Sequence, residues 1–142
     1  MKTKTAPSCS TATLSKKLGF KPGTRAVTID APPDYQKWLA PLPEGVVFAP
    51  AVTADTEIVH LFATVAAELK DRLVDLRQQV KPDAAVWVSW PKKSAKMPTD
   101  ITENTIREMA LPLGFVDIKV CAVSEVWSGL KLVIRTALRS PP

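Results

Sequence analysis

One histidine and two cysteines are too little material for a metal centre or a disulfide framework. Cys9 lies in a polar leader and Cys121 in an alternating apolar stretch. Neither has a paired histidine, so Cys121 reads as an inert buried thiol and both are expected to be reduced. No apolar run approaches the length of a membrane span. The opening Met1-Lys2-Thr3-Lys4-Thr5-Ala6-Pro7-Ser8 carries charge without the apolar stretch of a signal peptide. A cytoplasmic protein without membrane association is the expectation. Ser89 lacks the Gly-x-Ser-x-Gly elbow of a nucleophile. Ala31-Pro32-Pro33, after the first predicted strand, supplies no glycine and two residues without an N–H, whereas a phosphate-wrapping turn needs free donors.

The 142 residues, 46% of them apolar, suffice for one domain with a core that needs no staples. Thirteen prolines fall mainly between apolar segments and punctuate turns. Nineteen basic residues against 14 acidic ones give a net charge of +5. That balance favours anions of many kinds, but the charges are mixed along the chain, so no specific nucleic-acid recognition is expected.

Residues 1–10 read as a flexible leader and 11–142 as a single α/β domain. A helix is expected over 11–18, broken by Gly19, followed by a Lys21-Pro22-Gly23 turn and a strand over 25–30. Pro33 is suited to the first turn of a helix over 34–39, and a short strand over 46–49 follows. The nearly continuous apolar run 58–63 has the character of a central parallel strand covered on both faces. Val65, Leu69, Leu73, Leu76 and Val80 then mark one stripe of a helix that Pro82 stops. A buried strand over 84–90 runs into a basic loop. The next helix is expected to be capped by Asp100, with Glu103 three residues on, and to end before Pro112. Alternating patterns over 115–123 and 127–136 form an antiparallel pair reversing at Ser124-Glu125.

The end of the 84–90 strand is the best place for a ligand. Lys92, Lys93 and Lys96 put three cations within five residues, next to a helix start with unsatisfied N–H groups. Ligands of parallel α/β sheets sit outside the carboxyl ends of the strands. A crevice bounded by Asp30, Trp90, Lys92, Lys93, Lys96 and Asp100 is therefore expected to bind a small anionic or phosphorylated molecule; the bland alternative is a solvated loop. His60, between Val59 and Leu61, reads as a core histidine hydrogen-bonded to a neighbour in preference to a general base. Trp87, Trp90 and Trp127 either fill the core or stack on a planar ligand, with Tyr35 and Trp38 a weaker pair of the same kind. No catalytic residue and no metal ligand is assigned, and the oligomeric state is left open.

The segment order, with the entry running from Lys17-Leu18-Gly19 through Lys21-Pro22-Gly23 to Asp30, resembles a shortened class I methyltransferase fold: a three-layer, Rossmann-like sheet closed by an antiparallel strand pair. In that family a glycine-rich turn around S-adenosylmethionine follows the first strand. Here Ala31, Pro32 and Pro33 stand in its place, so no cofactor is expected. A divergent methyltransferase holding the cofactor by another loop, or a structural or regulatory interaction domain, are the alternatives to a binding protein. A closer resemblance is to a family of small bacterial proteins catalogued as domain of unknown function 3052. It rests on Lys17-Leu18-Gly19, Lys21-Pro22-Gly23, Pro41-Leu42-Pro43-Glu44-Gly45-Val46, Val59-His60-Leu61-Phe62, Val88-Ser89-Trp90-Pro91-Lys92-Lys93, Leu111-Pro112-Leu113-Gly114 and Trp127-Ser128-Gly129-Leu130-Lys131. This resemblance, over residues 15–136, implies a cytosolic context and no established reaction.

Overall fold

A computed structural model describes residues 13–138. The leader, Cys9, the first two residues of the 11–18 helix and the chain from 139 on lie outside the described residues. Six strands form one sheet: β1 (Arg25–Ile29), β2 (Val47–Phe48), β3 (Ile58–Phe62), β4 (Ala85–Pro91), β5 (Phe115–Ala122) and β6 (Trp127–Ile134), in the order β2-β1-β3-β4-β6-β5. The first four pair in parallel, with Val27 opposite Val59 and Val59 opposite Val86. β6 runs antiparallel to both β4 and β5, so the alternating pair does close one side of the sheet.

The helices make the outer layers. α3 (Ala66–Gln79) and α4 (Glu103–Leu113) cover one face, where Leu69, Leu73, Leu76 and Ile106 meet Val59, Leu61, Val86, Val88 and Leu130. α1 (Leu14–Leu18) and α2 (Tyr35–Leu39) cover the other, where Leu18, Tyr35 and Leu39 meet Ala26, Ile58, Phe62 and Trp87. Because β3 is covered twice, all five of its residues are buried, which is why its sequence is apolar without alternation. Trp87 and Trp90, three residues apart on β4, fall on opposite faces and enter the two cores separately.

Two helix boundaries differ from expectation. The N-cap of α4 is Thr102, not Asp100: the Thr102 hydroxyl accepts from Thr105 N–H and the Thr105 hydroxyl accepts from Thr102 N–H, a complete capping box. α4 also runs through Pro112 to Leu113, because Gly114 closes it in a left-handed conformation (φ 102°) and donates its N–H to the Ala110 and Leu111 carbonyls. A proline this near the end forfeits a single intrahelical bond. Among the described residues, no helix is long and apolar enough to cross a membrane.

Candidate functional site

β1, β3 and β4 all end at the same side of the sheet, where open α/β folds place ligands. Asp30 follows β1 directly and is a non-glycine residue at φ 59°, a left-handed conformation that a short carboxylate side chain tolerates. Its Oδ2 lies 3.3 Å from Nη2 of Arg72 on α3, with both side chains exposed. Pro32 and Pro33 come next, and the Pro32 carbonyl accepts the Tyr35 N–H as the chain turns into α2. The turn after β1 is thus closed on itself and poor in donors.

Asp100 lies near the same end, and its partner is not α4. Its Oδ1 accepts the Ala66 N–H at 2.7 Å, in the first turn of α3. Val65, the residue before α3, has no side-chain acceptor, so a carboxylate 34 residues beyond Ala66 does the work of a cap. Thr99 Oγ1 and Asp100 N both donate to the Thr64 carbonyl, which ties the end of the basic loop to the end of β3. At its start, Lys92 N–H donates to the Val126 carbonyl and fastens the loop to the β5–β6 turn.

Between these ties the chain makes a 3-10 turn over Lys93–Ala95 and leaves it at Lys96, with φ 54°. Lys93 and Lys96 are exposed and Lys92 half-buried, and among the described residues none of the three enters an ion pair. Trp90 is 8% exposed and packs in the core beneath α3 and α4. The six candidates therefore fall into three groups: two acids bound to α3, one core tryptophan, and three lysines without a carboxylate partner.

A polar chain that is not apparent in the sequence crosses the other core. Tyr35 Oη lies 2.8 Å from His60 Nδ1, and His60 Nε2 lies 2.8 Å from Ser89 Oγ. The His60 ring stacks on Phe62 at 4.5 Å between centroids. Burial pushes His60 down from 6.5 to about 3 and pushes the Tyr35 hydroxyl above its ordinary value, so both are neutral. A neutral imidazole carries one N–H and one bare nitrogen; one contact is donated by the ring and the other is received from a hydroxyl. Serine, histidine and a third polar group in line have the form of a hydrolytic triad. Ser89 and His60 are fully buried, however, so the chain braces three elements and offers no surface to a substrate.

The sequence matches the model of the family described as "Protein of unknown function (DUF3052)" over residues 53–136. The chain belongs to that family. The DUF3052 match begins after the Lys21-Pro22-Gly23 and Pro41–Val46 segments and takes in β3 to β6. No curated protein matches the chain. Among solved structures, LepI in complex with SAM is similar with a TM-score of 0.55 at 13% identity, covering 94% of this chain and 50% of that one. A SAM-dependent methyltransferase from Aquifex aeolicus gives 0.57 at 14% identity over 84% and 87%. The B. subtilis tRNA methyltransferase TrmK gives 0.53 at 9% over 87% and 64%. The DUF3052 chain spans half the length of LepI. At such identities the likeness is one of fold: the sheet is Rossmann-like and of methyltransferase type.

Proposed function

We propose that this domain binds a small anionic or phosphorylated molecule in the cytoplasm, at the carboxyl ends of its parallel strands, with no catalytic residue assigned. The observation that carries this reading is the state of the three lysines after β4. Lys92, Lys93 and Lys96 have no carboxylate partner among the described residues, although Asp30 and Asp100 at the same end are both engaged with α3. Cations left unpaired at the ligand-binding end of this sheet class favour an anionic occupant.

The residues present do not fit S-adenosylmethionine in the manner of the similar folds. After β1 the chain offers Asp30 tied to Arg72, then two residues without N–H and a carbonyl already used by Tyr35. Close backbone approach to a cofactor has neither the donors nor the conformational freedom it needs. No methyl-transfer step is therefore assigned. The likeness of fold makes a divergent methyltransferase the second reading.

Titration of the protein with pyrophosphate, followed by backbone amide shifts, tests the proposal. Saturable changes are expected over residues 92–96. The Lys92→Ala/Lys93→Ala double variant should weaken binding about tenfold or more with its fold unchanged, since each charge-assisted contact contributes about 1.5–3 kcal/mol. No saturable binding, unchanged affinity in the double variant, or shifts centred elsewhere would contradict it.

A further inference from the structure

At the opposite end of the strands, the amines of Lys21, Lys119 and Lys131 act on one another on the face covered by α1. Lys131 on β6 is the cross-strand partner of both Trp87 and Lys119. Lys119 Nζ donates to the Lys17 carbonyl at the end of α1, and Lys21 follows in the next turn. Like charges directly opposite on neighbouring strands destabilise a sheet, and Lys131 is half-buried as well. Burial, then Lys119, then Lys21 hold the Lys131 amine below its ordinary value.

Lys21 and Lys131 border one of two adjoining spaces, and Lys21 borders the other as well. The first is a polar pocket of about 180 Å³ lined by Lys21, Lys131, Thr24, Glu57 and Asp83 among others. Its two carboxylates have partners of their own: Glu57 Oε1 accepts the Arg25 N–H at 2.9 Å, and Asp83 lies 3.9 Å from Lys81 Nζ. Among the described residues, neither Lys21 nor Lys131 enters an ion pair. The other space is an open, mainly apolar groove of about 800 Å³ between α1 and the Pro41-Leu42-Pro43 segment, lined by Phe20 and Lys16 among others. Gly19 and Lys21 line both. The groove lies within the size range of small-molecule sites, and Lys21, which enters no ion pair among the described residues, stands where it meets the pocket that holds Lys131.

We propose that this junction is a second ligand site, distinct from the 92–96 loop, and that it takes a small amphipathic anion. The carboxylate or phosphate head meets Lys131 and Lys21, and the apolar body lies along the groove toward Leu42. Such a head offsets the Lys119–Lys131–Lys21 repulsion, which an apolar molecule leaves in place. A perturbed ionisable group in a cleft is a general mark of a functional site.

The probe is decanoate, titrated into the full chain while backbone amides and lysine amines are followed by NMR. Shifts are expected to centre on Gly19, Phe20, Leu42 and Lys131, and the Lys131 amine should titrate at higher pH once decanoate is bound. Decanol should bind about tenfold more weakly, as should decanoate to Lys131→Gln or Lys21→Gln, because each loses a charge-assisted contact. Lys92→Ala/Lys93→Ala should bind decanoate as the wild type does, so this site and the 92–96 site can fail separately. Removing Lys131 relieves repulsion, and a melting temperature no lower than wild type confirms that the variant is folded; should it fold poorly, the Lys131 titration in the wild-type protein decides the matter. Equal binding of decanol and decanoate would overturn the proposal. So would an unmoved Lys131 titration, no saturable binding, or preference for anionic phospholipid vesicles over monomeric decanoate.

Discussion

His60 couples the stability of the fold to pH. Its folded value of about 3 lies below its ordinary value of 6.5, so between the two the unfolded chain takes up a proton that the native state refuses. The stability this contributes is fully present above the ordinary value and is lost as pH falls toward 3, at up to about 1.4 kcal/mol per pH unit. Unfolding free energies from urea titrations should fall by up to that slope from neutral pH into the acid range, and His60→Asn should flatten the dependence. Tyr35→Phe leaves His60 Nδ1 without its partner and should cost about 1–3 kcal/mol at neutral pH, read by the same denaturation. Placing His60 in a buried strand requires only its apolar neighbours, and that was legible in the sequence. Its partners were not, since Tyr35 and Ser89 are 25 and 29 residues away and nothing local marks them.

The helix termini show the same division between local and distant information at the scale of elements. Asp100 and Thr102 are both good cap residues two positions apart, and a linear reading cannot choose between them. The choice is made by α3, whose own cap position is Val65 and whose first N–H groups need an acceptor from elsewhere. Asp100→Ala should therefore destabilise the protein by about 0.5–2 kcal/mol and speed amide exchange at the start of α3 while leaving α4 capped, a pattern that hydrogen exchange resolves by residue. Gly114 sets the other end of α4. A Cβ there would lie 2.9 Å from Arg77 Nε and 2.9 Å from Leu138 Cδ1, at a φ that side chains rarely adopt. Gly114→Ala should lower the melting temperature by several degrees, matching a cost of about 1 kcal/mol or more.

For the whole molecule, the apolar runs and the turns between them contained nearly all of the sheet. Continuous burial of 58–62 marks the central strand, and alternation in 115–122 and 127–134 marks strands at one side. The candidate site was legible as a place more than as a constellation. The basic loop does follow β4, but Trp90 is committed to the core and Asp30 and Asp100 to α3, and those commitments arise from packing between elements that are distant in sequence. The lysines around Lys131 were missed for the same reason: Lys17 and Lys119 are 102 residues apart. On the proposed function, the methyltransferase-type sheet binds an anion without holding the cofactor of that fold. Calorimetric titration of the purified protein with S-adenosylmethionine tests it most directly. The closed Asp30–Pro33 turn predicts no saturable heat, whereas a dissociation constant of about micromolar size, worth about 8 kcal/mol, would contradict it.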